Sequence, residues 1–290
     1  MTLRLPSPAT ATYGTDAWSD QLVRIGSAGG GVRLERSRVQ GLQALTTPMW
    51  ALEVPGLESG VLGAAELAPL VAVDFAPGEL DAGGWRAWQK AGWVLQERHT
   101  RWLSLAAGFS PSQLPKQRRK QLRFAEAQGW RLVVIDDLEV LAALHNTSRS
   151  RKGIANDEEK LRTLLHRLST TDHLTSWGVQ NTDGTWIAAC GFLPERGRLV
   201  YAFGGASGHS KESAAAVVML LVQAISAAAD AGFATFDFGG SMDPGVDRFY
   251  KEFGGEKVPK WRAVRVARWA RPWIRLRRPD LLRGSGTFVP

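Results

Sequence analysis

The sequence contains a single cysteine, Cys190, in 290 residues, which excludes an internal disulfide and any multi-cysteine metal cluster. Its five histidines (His99, His145, His166, His173, His209) form neither an HExxH motif nor a pair at i, i+4, so no metal site is expected. The N-terminal MTLRLPSPAT lacks the apolar core of a secretory signal. The longest apolar stretch, Ala214–Ala229, is interrupted by Gln223 and Ser226 and falls short of the roughly 18 residues that span a bilayer. No aligned internal repeat is visible. Together these absences predict a soluble, cytoplasmic protein of a reducing compartment.

What is present is a globular composition, 44% hydrophobic and 22% charged, sufficient for one large or two modest domains. The net charge of +8 is unevenly placed. Residues 1–259 hold 27 basic and 27 acidic side chains, whereas residues 260–290 hold nine basic ones against Asp280 alone. Such a tail suits an anionic partner, tRNA or the lipid headgroups of an inner membrane face, or it is a solubilising, poorly ordered extension. Pro272 and Pro279 prevent one long helix there.

Periodicity predicts a mixed α/β (α+β) plan, clearest in the second half. A basic amphipathic helix, KQRRKQLRFAEAQ, ends at Gly129 and leads to a strand over Trp130–Ile135. Asp136 or Asp137 caps a helix bearing Leu138, Leu141, Leu144 and His145 on one side. Asn156-Asp157-Glu158-Glu159 starts another, with Leu161, Leu164, Leu165 and Leu168 as its apolar stripe.

A three-strand meander follows over Leu174–Asn181, Thr185–Leu193 and Arg198–Ser207, turning at Thr182-Asp183-Gly184 and at Pro194-Glu195-Arg196-Gly197. The uncharged helix Ser213–Ala229 is apolar nearly all round, hence buried, and returns the chain to Phe233–Phe238, expected to lie parallel to the third meander strand. A short helix, Val246–Phe253, precedes a last strand, Trp261–Ala267. In the first half, Thr15 or Asp16 is expected to cap a helix carrying Trp18, Leu22 and Ile25. Short strands, a Trp85/Trp88 helix and a strand over Val94–Leu105 complete an abbreviated copy of the plan.

Glycine-rich strand exits that lead into helices expose backbone N–H groups to anions. Two such exits occur, Gly204–Ser210 and Gly239–Gly245, the second with Asp243 as cap and Pro244 at the first helical position. If their strands are neighbours, both loops border one cleft.

The sequence around these exits resembles GNAT-like acyltransferases of the Fem type, the peptidoglycan-bridge aminoacyltransferases and the uncharacterised acetyltransferases grouped with them. The residues that carry the likeness are Tyr201-Ala202-Phe203-Gly204-Gly205-Ala206-Ser207, Gly232–Ser241 and Gly245–Gly255, with the basic helix Lys116–Glu126 and Arg151-Lys152-Gly153. The resemblance covers residues 95–267 well and the N-terminal part loosely. It implies a GNAT-like mixed sheet with flanking helices (110–267), an abbreviated GNAT-like half (1–109) and the basic tail (268–290). It further implies an N-acyltransferase that moves an acetyl or aminoacyl group from acyl-CoA or aminoacyl-tRNA to an amine acceptor such as a cell-envelope precursor. No tightly bound cofactor is implied. The first exit lacks the R-x-x-G-x-G/A phosphate signature of CoA-dependent members, which departs from their pattern. A non-catalytic module that binds RNA or an anionic membrane through the tail is the alternative.

The donor-holding residues are then Gly204, Gly205, Ser207, Gly208, Ser210, Gly239, Gly240 and Ser241. Asp237, ending a buried strand, is the candidate acceptor-side base, or else a structural partner of a basic neighbour. Lys251 matches the family's F-K-x-F-G lysine, which would stabilise an oxyanion. Helical spacing instead pairs it with Asp247, opposite the apolar face Val246, Phe249, Tyr250 and Phe253. Tyr201 and Tyr250 could protonate a leaving group or simply be core residues. Arg248 and Arg119, the latter in the cluster Lys116, Arg118, Arg119, Lys120 and Arg123, are candidate substrate contacts. His209 reads as a solvated loop side chain and Cys190 as packing. Trp261, Trp269 and Trp273 are candidates for a headgroup interface.

Overall fold

The computed structural model describes residues 5–18, 22–25, 32–54, 68–151, 153, 157–240 and 242–285. The chain is mixed α/β and divides into two compact units. One comprises residues 13–100, 240–242 and 257–290, the other residues 1–12, 101–239 and 243–256.

The first unit contains strands β1 (Leu22–Ile25), β2 (Val32–Val39), β3 (Leu42–Thr46) and β4 (Leu70–Asp74), helix α1 (Ala82–Lys90), and residues 94–100 of β5 (Val94–Ser104). Residues 257–266 of strand β11 (Glu256–Val266) and helix α7 (Arg271–Arg277) complete it. Its strands run β1-β2-β3-β4-β11, antiparallel except for the parallel pair β3–β4. β11 therefore pairs here, on β4, and not in the second half where the sequence reading placed Trp261–Ala267.

Among the described residues no helix follows Thr15 or Asp16; residues 15–18 form turns and bends. Leu22–Ile25 is a strand paired with Val32–Glu35, because two β-branched residues beside a ready partner strand outweigh a helical spacing. Asp16 instead bonds Arg33 at 3.0 Å. Trp261 is buried and meets Trp85 edge-on, so it is a core residue and no headgroup anchor. Part of the basic tail is structured. A 3-10 turn over Arg268–Ala270 leads into α7, and another follows from Pro279, where the two prolines break the helix as anticipated. Ala270, Ile274 and Leu281 pack against Ala44, Leu70 and Val264.

The second unit holds residues 101–104 of β5, helix α2 (Lys116–Ala127), β6 (Arg131–Val134), α3 (Leu138–Ser150) and α4 (Glu158–Thr170). The meander is β7 (Thr175–Gln180), β8 (Trp186–Glu195) and β9 (Arg198–Ala206), followed by α5 (Lys211–Asp230), β10 (Thr235–Asp237) and α6 (Pro244–Lys251). Its strand order is β5-β10-β9-β8-β7-β6, with β10 parallel to β9 as expected. Asp137, and not Asp136, caps α3 by accepting from Glu139 N. Asn156 lies outside the described residues; Asp157 caps α4.

The second hairpin turn is tighter than expected. Only Arg196 and Gly197 form it, both at positive φ, as a two-residue turn requires. Glu195 stays in β8, fully buried, where its carboxylate accepts from Thr12 N at 2.7 Å and ties the N-terminal segment to this unit.

Helix α5 is the one helix among the described residues long and apolar enough to cross a membrane by length and composition, so the sequence estimate from Ala214–Ala229 was too short. Ten of its side chains are buried, and it packs on β8 and β9 and against α2. The absence of charge thus matches a helix enclosed by its own unit.

Candidate active site

The register of β9 with β10 creates the site. β10 ends at Asp237, opposite Val200, so β9 continues alone on that side from Tyr201 to Ala206. A bulge at Ala202, where Gly191 pairs Phe203 but Phe192 pairs Tyr201, twists this free stretch. A cleft of about 560 Å³ opens there. Tyr201 and Gly204–Ala206 form its floor. The first turns of α5 (Ser210, Ser213, Ala214) make one wall and α6 (Asp243, Val246, Phe249, Tyr250) the other. Arg118 of α2, and Ser148 and Arg151 at the end of α3, stand at its rim. Both glycine-rich exits therefore do lead to one cleft, as anticipated from the parallel crossover.

Each wall is fixed locally. Ser210 caps α5, its Oγ accepting from Ser213 N at 3.1 Å. Asp243 caps α6, accepting from Gly245 N at 2.8 Å and Val246 N at 3.0 Å, with Pro244 at the start. Arg101 clamps α6 from β5, its guanidinium forking onto Asp247 at 2.6 and 2.8 Å and donating to Gly255 O at 2.9 Å. This hydrogen bonding raises the Arg101 pKa.

Both helix N-termini already hold carboxylates. Asp243 occupies one, and at the other the Glu212 carboxyl is lowered by bonds from its own N–H and from Ser210. Positive charge at the cleft therefore comes from side chains. Arg118 donates to Glu252 at 2.6 Å and lies over the Phe249 ring at 4.5 Å; Arg151 donates to Ser148 Oγ at 2.9 Å.

The floor is aromatic and desolvated. Tyr250 stacks on Phe238 with ring centroids 5.0 Å apart and meets Tyr201 edge-on at 6.2 Å. Burial raises both phenol pKa values, Tyr201 with a hydrogen bond to Cys190 adding to the effect, so both hydroxyls stay protonated at neutral pH. Burial likewise pushes the Cys190 thiol up to about 12, which leaves an unreactive packing residue.

Two glycines expected to cradle the donor line the cleft and also serve packing. Gly204 and Gly205 lie within β9, not in the loop after it. A Cβ on Gly205 would sit 1.9 Å from Leu144 O, so α3 rests directly on the strand. One on Gly204 would sit 1.9 Å from Tyr201 Oη. Beneath them, His145 Nδ1 lies 3.2 Å from both Gly204 N and Gly204 O. Burial, reinforced by Arg149, lowers the His145 pKa to about 4.

Of the other sequence candidates, Gly208, Ser210, Tyr201 and Tyr250 line the cleft. Ser207, Gly239 and Gly240 do not; Ser207 Oγ lies 3.5 Å from Ser213 Oγ. Ser241, like Lys152, lies outside the described residues. Asp237 is turned inward and 2% exposed. Its carboxylate accepts from Trp102 Nε1 at 2.8 Å, Arg198 at 3.0 Å and Gly239 N at 2.9 Å, which is the structural pairing and not a base facing substrate. Lys251 and Arg248 are exposed on α6 and absent from the cleft lining, and Asp247 pairs with Arg101 in place of Lys251.

Arg119 is exposed too; its neighbour Arg118 is the one that lines the cleft. Spacing held that signal, since Arg118 precedes the buried Leu122 and Ala125 by four and seven residues on one helical face. His209, read as merely solvated, lines the cleft as well.

Residues 112–252 match the family model described as an acetyltransferase (GNAT) domain. Among solved structures, the fold is similar to that of FemX (TM-score 0.62, 13% identity, covering 89% of this chain and 90% of that one). It is also similar to the C-terminal domain of a putative lysylphosphatidylglycerol synthetase from Agrobacterium fabrum (0.59, 13%, 93% and 91%) and to L-PGS from Bacillus licheniformis (0.58, 13%, 91% and 90%). Among curated proteins, none matches the sequence significantly.

Proposed function

From the match of residues 112–252 to an acetyltransferase (GNAT) domain and a fold similar to that of FemX, we propose that this protein transfers an acyl group from an activated, phosphate-bearing donor to an amine. The observation that carries the reading is the unpaired stretch of β9 bordering a cleft with two arginines at its rim and two protonated phenols in its floor. Acyl transfer needs a polarised carbonyl, a proton for the departing group and an anchor for the donor's phosphates. The unpaired stretch of β9 supplies the first through backbone N–H groups other than those of Gly204 and Ala206, which meet His145 Nδ1 at 3.2 Å and Ser148 Oγ at 3.3 Å. Tyr250 or Tyr201 supplies the second, since burial keeps each phenol a donor. Arg151 supplies the third, beside Arg118, which also borders the cleft but holds its Nε on Glu252 at 2.6 Å.

The step itself is direct. The acceptor's nitrogen lone pair attacks the carbonyl carbon, the amide bond forms, the bond to the leaving thiolate or ribose oxygen breaks, and the phenol protonates that group. The ammonium proton left on nitrogen passes to solvent, which reprotonates the phenolate. Acetyl-CoA, longer acyl-CoAs and aminoacyl-tRNA are the candidate donors, and the similarity to a putative lysylphosphatidylglycerol synthetase, whose name carries a lysyl group and a lipid, favours an aminoacyl group.

A thermal-shift series with each donor tests this. A true donor at a hundredfold excess over its Kd stabilises by about 3 kcal/mol, and Arg118→Ala with Arg151→Ala weakens that effect. If no donor raises the melting temperature and none yields an acylated amine, the proposal fails.

A further inference from the structure

Helix α7 is held to its unit along one side. Ala270 and Ile274 are fully buried, whereas Trp269 is 69%, Trp273 43% and Leu276 75% exposed. Trp273 and Leu276 lie at i and i+3 on one side of α7, and Trp269 precedes them in the 3-10 turn that leads into the helix. Trp273 is fixed in place, its Nε1 donating to Gln40 O at 2.9 Å and its ring covered by the Arg277 guanidinium at 4.5 Å. Arg268, Arg271, Arg275 and Arg277 surround these apolar side chains, all exposed, and among the described residues none has a carboxylate at ion-pair distance. Nearby basic groups are spent within the fold, by contrast: Arg262 forks onto Asp74 and Arg278 onto Asp280.

We propose that this surface docks the protein on an anionic lipid bilayer. Trp269 and Leu276 enter the headgroup boundary, and the arginines that have no carboxylate partner meet lipid phosphates. Charge complementarity selects the partner, because the only acid of the segment, Asp280, is already bound. RNA would engage the arginines but leave Leu276 without a partner; a bilayer engages both kinds of side chain.

The full chain is floated with vesicles of phosphatidylcholine alone and with vesicles of equal parts phosphatidylcholine and phosphatidylglycerol. Binding is expected to the anionic vesicles, on the order of tenfold weaker to the neutral ones, and reduced by salt. Trp269→Ser with Leu276→Ser, both on exposed side chains, should weaken binding on the order of tenfold or more at an unchanged melting temperature. Arg268→Gln with Arg275→Gln should weaken it about fivefold per charge. Equal binding to both vesicles overturns the proposal. So does an apolar double variant that binds like the parent, or retention of bulk tRNA without any vesicle binding.

Discussion

Gly205→Ala should damage the fold far more than Gly208→Ala, although both glycines belong to the same glycine-rich exit. A methyl on Gly205 would lie 1.9 Å from Leu144 O, 2.3 Å from its carbonyl carbon and 2.7 Å from His145 N. All three are main-chain atoms of α3, which cannot rotate away as a side-chain tip can. Either α3 lifts off β9 or the strand deforms. Overpacking of this kind costs about 1–3 kcal/mol, and backbone opposition places it at the upper end. At roughly 2–4 °C per kcal/mol for a domain of this size, melting should fall by about 6–12 °C.

The comparison position behaves differently. A methyl on Gly208 meets only Ser213 Oγ at 3.8 Å and Ser210 N at 3.9 Å, ordinary contacts, so its cost should stay within about 0.5 kcal/mol. Thermal unfolding followed by near-ultraviolet circular dichroism reads both variants through the tryptophans. Equal effects at the two sites, or an unchanged Gly205→Ala protein, would refute the view that Gly205 exists for helix–strand contact.

Asp237→Ala removes the shared acceptor of Trp102, Arg198 and Gly239, so it should destabilise by about 3–5 kcal/mol in denaturant melts, where a purely catalytic carboxylate would leave stability intact. His145 is held neutral in the fold with a pKa near 4 against 6.5 when unfolded, so the unfolded chain binds the extra proton between those values. Its contribution is full above about pH 6.5 and is lost as pH falls toward 4, by roughly 3 kcal/mol; His145→Gln should flatten that part of a stability–pH curve. Tyr250→Phe keeps the stack on Phe238 and removes only the hydroxyl. Stability should move by about 1 kcal/mol at most, while kcat for acyl transfer falls on the order of a hundredfold or more with KM little changed.

Local chemistry by itself determined most of the second unit. The meander, the caps at Asp157 and Asp243, the leucine stripe of α4 and the enclosed α5 follow from periodicity and hydrogen-bonding groups that are close in sequence, whereas the cap at Ser210 was not anticipated. The parallel pairing of β9 with β10 followed as well, because a helix between two strands leaves little else. Those two strands were enough to locate the cleft.

Only the tertiary structure decided which side chains face it. Asp237 and the acceptor-side role stood apart once Trp102 and Arg198, 135 and 39 residues away, closed on its carboxylate. The pairing of Asp247 with Arg101 rather than Lys251 is set by a strand 146 residues distant, which no helical spacing can reveal. Gly204 and Gly205 read as a glycine-rich exit in the sequence, but the contacts that require them to lack a side chain are with Tyr201 and with the backbone of α3. Leu22–Ile25 became a strand because a partner was at hand. The common reason is that sequence spacing encodes neighbours one or two turns away, whereas desolvation and charge pairing are settled by whichever distant segment packs against the group.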